Sequence, residues 1–260
     1  MARKSDEAAR AERRARRRRS GTGEEAPEGG RGRSEALEWV KTIGIALVIF
    51  IILRSFVVQT YVITSSSMED SLLVGDHVIV NRMALGGVVP FTDIRMPGYS
   101  EPDRGEILVF DPPHEDELML VKRMVGLPGD TLRMEDKVLF VNGEPADEPY
   151  VKWDDPGGDD RNPQMEWQRE YVTSEVDADE YLPTRDNWGP LVVPEGKYFA
   201  LGDNRDFSLD SRYWGLVDDW RLEGRASLFY YSYDIDASET SGWVRWLAEA
   251  RPDRIGRWVR

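Results

Sequence analysis

One stretch limits this chain more than any other. The run TIGIALVIFIIL, Thr42 to Leu53, carries no charge, Lys41 and Arg54 bracket it, and apolar residues continue through SFVVQTYVI to Ile63. Twelve residues of helix span about 18 Å, and a bilayer core needs about 20 residues. Taking in Trp39, Val40 and Phe56 to Val58 supplies that length if Lys41 and Arg54 reach out to the two interfaces. The reading is a single membrane-spanning helix over 37–58. Two others compete with it. A buried core helix is opposed by the flanking charges. A cleaved export signal would use Ser65 to Ser67 as small residues at its cut site; a long basic preamble and the polar pair Gln59-Thr60 argue against it.

Charge is spread unevenly along the chain. Residues 1–35 hold 11 Lys/Arg and 7 Asp/Glu, a net of +4; the remainder holds 23 and 41, a net of −18, and the two sum to −14. The basic part includes RRARRRR, Arg13 to Arg19. Such a run suggests nucleic acid or anionic lipid, and its low complexity suggests disorder. Its place before the apolar run favours lipid, so a lipid bilayer and no nucleic acid is expected as partner. The positive-inside rule then keeps the N-terminus cytoplasmic, with the bulk of the chain across the membrane.

Beyond Ile63 the pattern is mostly β. DHVIVN (Asp76 to Asn81), GEILVF (Gly105 to Phe110) and LMLVKRMVG (Leu118 to Gly126) are short, rich in Val, Ile and Leu, and bounded by turn residues such as DPP and LPGD. KVLFVNGEPA, Lys137 to Ala146, predicts a hairpin turning on Asn142-Gly143. GKYFALGDN and ASLFYYSYD supply two more strands. No internal repeat and no long amphipathic helix is present, so antiparallel sheets are expected. From Gly143 to Pro194 the texture turns acidic and rich in Pro, Gly and Trp, which reads as an inserted cap subdomain. Its Asp154, Asp155, Asp159 and Asp160 lack the spacing of a calcium loop, and no metal is expected there.

Cysteine is absent and histidine occurs only at His77 and His114. Thiol chemistry is excluded, and a Ser-His-Asp triad has almost nothing to draw on. An activated serine would need another base, and lysine is the known substitute. Lysine serves only if a dry setting lowers its pKa. Lys122 meets that demand, lying in the apolar segment LMLVKRMVG. Alternation puts Leu120, Lys122 and Met124 on one face and Val121, Arg123 and Val125 on the other. The plainer reading is an edge-strand lysine that blocks wrong pairing.

Four blocks, in order, resemble a known family. SSMEDSLLVGD, RGEILVF, LVKRMVGLPGD and GDNRDFSLDSRYWGLV (Gly202 to Val217) are similar to the blocks of bacterial type I signal peptidases, membrane-bound serine proteases that cut signal peptides from exported proteins. The resemblance runs from about Trp39 to Asp234. It implies a mostly β fold: an antiparallel β-sheet catalytic domain with a smaller inserted cap subdomain, preceded by one N-terminal transmembrane helix. It implies Ser67 as nucleophile and Lys122 as general base, with the Ser67 N–H and the Ser65 hydroxyl forming the oxyanion hole. Ser208 would orient Lys122, while Asp210 with Arg212, and Arg123 with Asp203, would form supporting ion pairs. Tyr61, Ile63, Met68, Leu72, Leu120 and Val121 fall where the family lines its substrate pockets. No cofactor is implied. The partners would be preproteins bearing signal peptides, cut after a small-x-small motif, and the protein a monomer in the cytoplasmic membrane with its catalytic domain outside.

The sequence departs from the family around the nucleophile. A frequent proline is Thr64, the usual glycine before the serine is Ser66, and M-x-P-T-L becomes Met68-Glu69-Asp70-Ser71-Leu72. Two other readings stay open: a soluble self-cleaving repressor on a similar Ser-Lys fold, and a membrane scaffold that has lost activity. The expected organisation is a disordered basic tail over 1–36, the anchor over 37–58, the catalytic domain over 59–142 and 196–236, the cap over 143–195, and a Trp/Arg-rich segment over 237–260. Trp243 to Arg260 is expected to touch the membrane surface, Trp and Arg suiting the interface; a broken helix packed on the domain is the alternative.

Overall fold

The computed structural model describes residues 29–86, 94, 96–115, 118–155, 157–235 and 249–260. The basic tail up to residue 28 and the stretch 236–248 lie outside the described residues. The chain forms two compact units, one ending at Phe50 and the other starting at Ile51.

The first unit holds a single helix, α1 (Gly29–Ile52), with exposed apolar side chains from Ile43 to Phe50. Among the described residues no helix is long and apolar enough to cross a membrane. Up to Lys41, α1 carries five charged residues, Arg31, Arg33, Glu35, Glu38 and Lys41. At Ile52 the α-helix gives way to a π-turn, Leu53–Val57, and Val58 already belongs to a strand. Helical backbone thus runs through Val57, and of the expected span of 37–58 only Val58 lies in the strand, where a β-branched residue suits cross-strand pairing.

The second unit is antiparallel β. Its larger sheet contains β1 (Val58–Val62), β2 (Asp76–Asn81), β3 (Ile107–Phe110), β4 (Leu120–Gly126), β9 (Lys197–Leu201), β10 (Val217–Asp218) and β11 (Leu222–Ser232). Their order is β1-β2-β11-β3-β4-β9-β10. The smaller sheet, in the order β7-β6-β5-β8, contains β5 (Thr131–Glu135), β6 (Val138–Val141), β7 (Glu144–Pro145) and β8 (Trp188–Val192). The β6–β7 hairpin turns on Asn142 and Gly143, at φ of 53° and 89°. Positive φ at both central residues is what a tight hairpin needs, and Asn-Gly supplies it cheaply.

That hairpin straddles the residue at which the cap is expected to begin. A cut at 142–143 passes through its turn, and β8, deep in the acidic segment, pairs with β5. Apolar Trp188, Leu191 and Val193 are buried with Leu132, Met134, Leu139 and Phe199 in one core cluster. Core contact, not local acidity, decides where this segment belongs. The rest of the segment includes a 3₁₀ helix, Pro163–Glu170, whose first turn is capped by the Asn162 side chain accepting from Gln164 N. Its acidic residues are engaged locally: Asp159 accepts from Thr184, Asn187 and the Asp186 N–H, and Asp154 pairs with Lys152.

The described end of the chain, 249–260, lies along β11 rather than forming a broken helix. Phe229 N donates to Arg257 O, Val259 N to Ser227 O and Arg251 N to Ser232 O. Arg254 holds both oxygens of buried Asp76 at 3.0 and 2.6 Å. This strap covers the side of β11 beyond Arg225, which β3 does not reach, and so leaves it closed to foreign strands.

Candidate active site

The serine run follows β1 directly. Ile63 is pinned to the β2 entry by Ile63 N to Asp76 O (2.8 Å) and Gly75 N to Ile63 O (2.9 Å). Ser66–Met68 then makes one 3₁₀ turn. Met68 and Leu72 anchor it, fully buried with Ile63, Val78, Ile107 and Phe229. Ser67 itself is only 7 % exposed. N–H groups at the start of a helical turn have no partner within the turn, so the Ser67 N–H is placed to donate elsewhere.

Lys122 comes from β4, fifty-five residues away in sequence, where it pairs with Leu108 of β3. It is 3 % exposed, and its Nζ donates to Ser67 Oγ at 2.5 Å. Burial is the main cause that lowers its pKa from 10.5 to about 8; Asp210 and then Asp203 pull it back up, and Arg212 lowers it. Ser65 Oγ stands 3.2 Å from Ser67 Oγ. Two hydroxyls and a buried amine thus meet at one point.

The wall behind them is the Gly202–Arg212 loop. Arg123 donates to both oxygens of Asp203 (2.8 and 2.6 Å) and to Gly105 O and Ser71 Oγ. Arg212 grips Asp210 the same way, at 2.8 and 2.9 Å, with both side chains wholly buried. Burial pushes the Asp210 carboxyl up, but the Arg212 charge and the hydrogen bonds from Arg212 and Gly202 N outweigh it and hold the pKa below the usual range. Ser208 is buried and its Oγ has no hydrogen-bond partner, so none joins it to Lys122. The expected orienting bond is therefore absent at rest. Gly202 explains the close fit. A Cβ on it would strike Ser208 Oγ, and would lie 2.5 Å from both Ser208 Cβ and the Ser67 carbonyl oxygen. Asn204 N donates to that same carbonyl at 3.1 Å.

The residues expected to bind substrate divide. Ile63, Met68 and Leu72 share a cluster against which Val121 packs. Leu120 packs instead with Leu108, Phe110 and Met124, because alternation along β4 sends it to the opposite face. Tyr61 is half-buried on edge strand β1, where burial, then Glu223, pushes its hydroxyl up to about 12.

Comparison with known proteins points to one family. A model of the signal peptidase, peptidase S26, family matches residues 36–231. The chain is 36 % identical over 215 residues to signal peptidase I of Pseudomonas aeruginosa, covering 76 % of this chain and 73 % of that one. It is 33 % identical over 203 residues to signal peptidase I of Bacillus licheniformis (78 % and 92 % covered) and 32 % identical over 203 residues to signal peptidase IB of Staphylococcus aureus (77 % and 92 %). The chain belongs to the S26 signal peptidase family. It is a type I signal peptidase of bacterial kind, a serine endopeptidase that removes signal peptides. This answers the soluble-repressor alternative.

Around Ser67 this signal peptidase has its own backbone. Asp70 sits at φ 78°, a left-handed conformation that Asp tolerates and proline, held near −65°, cannot enter. The family's frequent proline at this position is thus incompatible with the turn found here. Sequence reasoning also missed several supports. Tyr150 lies under Arg123, 3.7 Å from guanidinium carbon to ring centre. Glu148 binds Arg205, which is wholly buried, in a two-point ion pair. Both partners come from the acidic segment, and no local pattern marks them.

Proposed function

We propose that Ser67 and Lys122 form the catalytic dyad with which this signal peptidase cuts preproteins. The observation that carries the reading is the 2.5 Å contact between Lys122 Nζ and Ser67 Oγ, two side chains only 3 % and 7 % exposed. Once Nζ is neutral the contact reverses and Oγ–H donates to it. Ser67 Oγ then attacks the scissile carbonyl as its proton passes to Lys122. The oxyanion formed is stabilised by the Ser67 N–H and the Ser65 hydroxyl, donors placed for charge that exists only in the transition state. Lys122 returns the proton to the leaving amine, giving an acyl-enzyme on Ser67, then takes a proton from water for hydrolysis.

Open strand edges support the mode of substrate binding. β1 ends the larger sheet, and β9 pairs with β4 only from Arg123 onward. A preprotein segment in extended form would add between β1 and Leu120–Lys122. Tyr61, Ile63 and Val121 would then line pockets for small side chains, with Met68 and Leu72 beneath them. Cleavage follows a small-x-small motif, the pattern signal peptides present. The basic tail keeps the N-terminus cytoplasmic. The uncharged run within α1, with its exposed Ile, Leu, Val and Phe side chains, anchors a monomer in the cytoplasmic membrane. The catalytic unit lies outside.

The test uses the full chain in detergent and a preprotein with alanine at the first and third positions before the cut. Wild type should release the mature chain, while Ser67→Ala and Lys122→Met should not. Cleavage by Ser67→Ala at the wild-type rate defeats the dyad.

A further inference from the structure

The acidic cap segment is bound into the wall of the site by a chain of buried hydrogen bonds. The Gly189 N–H donates to Tyr181 Oη at 2.6 Å, and Tyr181 O–H donates to Gln168 Oε1 at 2.7 Å. This fixes the amide so that Gln168 Nε2 donates to the Arg212 carbonyl at 3.0 Å. Trp167 Nε1 donates to the same carbonyl, also at 3.0 Å. Two donors thus occupy the two lone pairs of one oxygen. That oxygen belongs to the short helix α2 (Ser211–Trp214), whose last carbonyls have no partner within it. Gln168 is wholly buried, and Met165 beside it is part of the core.

A buried amide is costly unless it is satisfied, so this one marks a constraint. The carbonyl it holds belongs to the residue whose guanidinium clasps Asp210. Lys122 is faced by Asp210, Asp203 and Arg212, with Arg123 clasping Asp203. We propose that Gln168 is a positioning residue for the proton transfer: by holding the Arg212 backbone it keeps that guanidinium seated on Asp210, and so sets the charge that Lys122 faces. The proposal rests on Lys122 being the base. Its physical content has a sign. If Arg212 draws back, Asp210 faces Lys122 less compensated, and the ammonium is favoured.

Gln168→Met and Tyr181→Phe, in the full chain in detergent, are read by peptide cleavage from pH 6 to pH 10. Wild type provides the reference midpoint of kcat/KM. Gln168→Met should raise that midpoint by about 0.5 to 1 pH unit, which lowers the rate at pH 7 about threefold to tenfold. The plateau at high pH and KM should stay within about twofold, since nothing that touches substrate has changed. Tyr181→Phe removes only the orienting hydroxyl, and should move the midpoint the same way by less. It also carries the test if Gln168→Met does not fold. A lower melting temperature with an unmoved midpoint in both variants overturns the proposal, leaving a purely structural glutamine and the dyad intact. A Lys122→Met enzyme that still turns over defeats the dyad first and this inference with it.

Discussion

Replacing Lys122 by methionine should abolish turnover and stabilise the protein at the same time. Methionine is close in length and suits the apolar surroundings of β4. In the folded chain Lys122 titrates at about 8 rather than 10.5, chiefly because burial disfavours the ammonium. Between those pH values the unfolded chain binds more protons than the folded one, so stability rises with pH across the window and the full cost is present below it. A gap of about 2.5 pH units, at about 1.4 kcal/mol each, is roughly 3 to 4 kcal/mol. Methionine removes that cost but gives up the hydrogen bond to Ser67, worth about 1 kcal/mol net. The remaining gain, about 2 kcal/mol, corresponds to a rise in Tm of about 4–8 °C for a chain of this size. Thermal melts of wild type and Lys122→Met at pH 6, 8 and 10 are the assay. The difference should be largest at pH 6 and shrink towards pH 10. A variant with unchanged or lower Tm at pH 6, or a difference indifferent to pH, refutes the account of a desolvated lysine. The wild-type rate should follow the same ionisation, with about one enzyme in ten carrying a neutral Lys122 at pH 7 against about one in three thousand for a free lysine.

Gly202→Ala should cut kcat/KM by about a hundredfold, the cost of moving a reacting group by about 1 Å, because the new methyl pushes on the Ser67 carbonyl and the Ser208 side chain; steady-state kinetics beside a circular dichroism spectrum will separate this from unfolding. Asp210→Asn leaves Arg212 buried with its charge uncompensated, and should cost about 3–5 kcal/mol in denaturant titration while moving the kcat/KM midpoint of the folded fraction to lower pH, since Asp210 raises the Lys122 pKa. Asp70→Pro, which restores the residue common in the family, should lose more than about 1 kcal/mol because φ 78° is closed to it; Asp70→Gly should fold as well as wild type, and equal stability of all three would refute the left-handed turn.

Much was legible in the sequence because the signals are short-range. The strand DHVIVN shows its alternation locally and is β2 to the residue. Asn142-Gly143 carries its turn in its own φ preferences. The absence of cysteine and scarcity of histidine left lysine as the base to look for, and the ordered blocks named Ser67 and Lys122 together. The tertiary structure alone decided what depends on residues far apart in the chain. It brought Nζ and Oγ together across fifty-five residues and kept them dry. It sent Leu120 to a different cluster from Val121, turned the end of the apolar helix into a π-turn that leads into β1, and drew β8 out of the acidic segment into a sheet. The physical reason is that periodicity and turn chemistry act over a few residues, whereas burial sums contacts from the whole chain. Acidic composition therefore marked the cap as surface, while Gln168 within it, donating to a carbonyl forty-four residues away, is wholly buried.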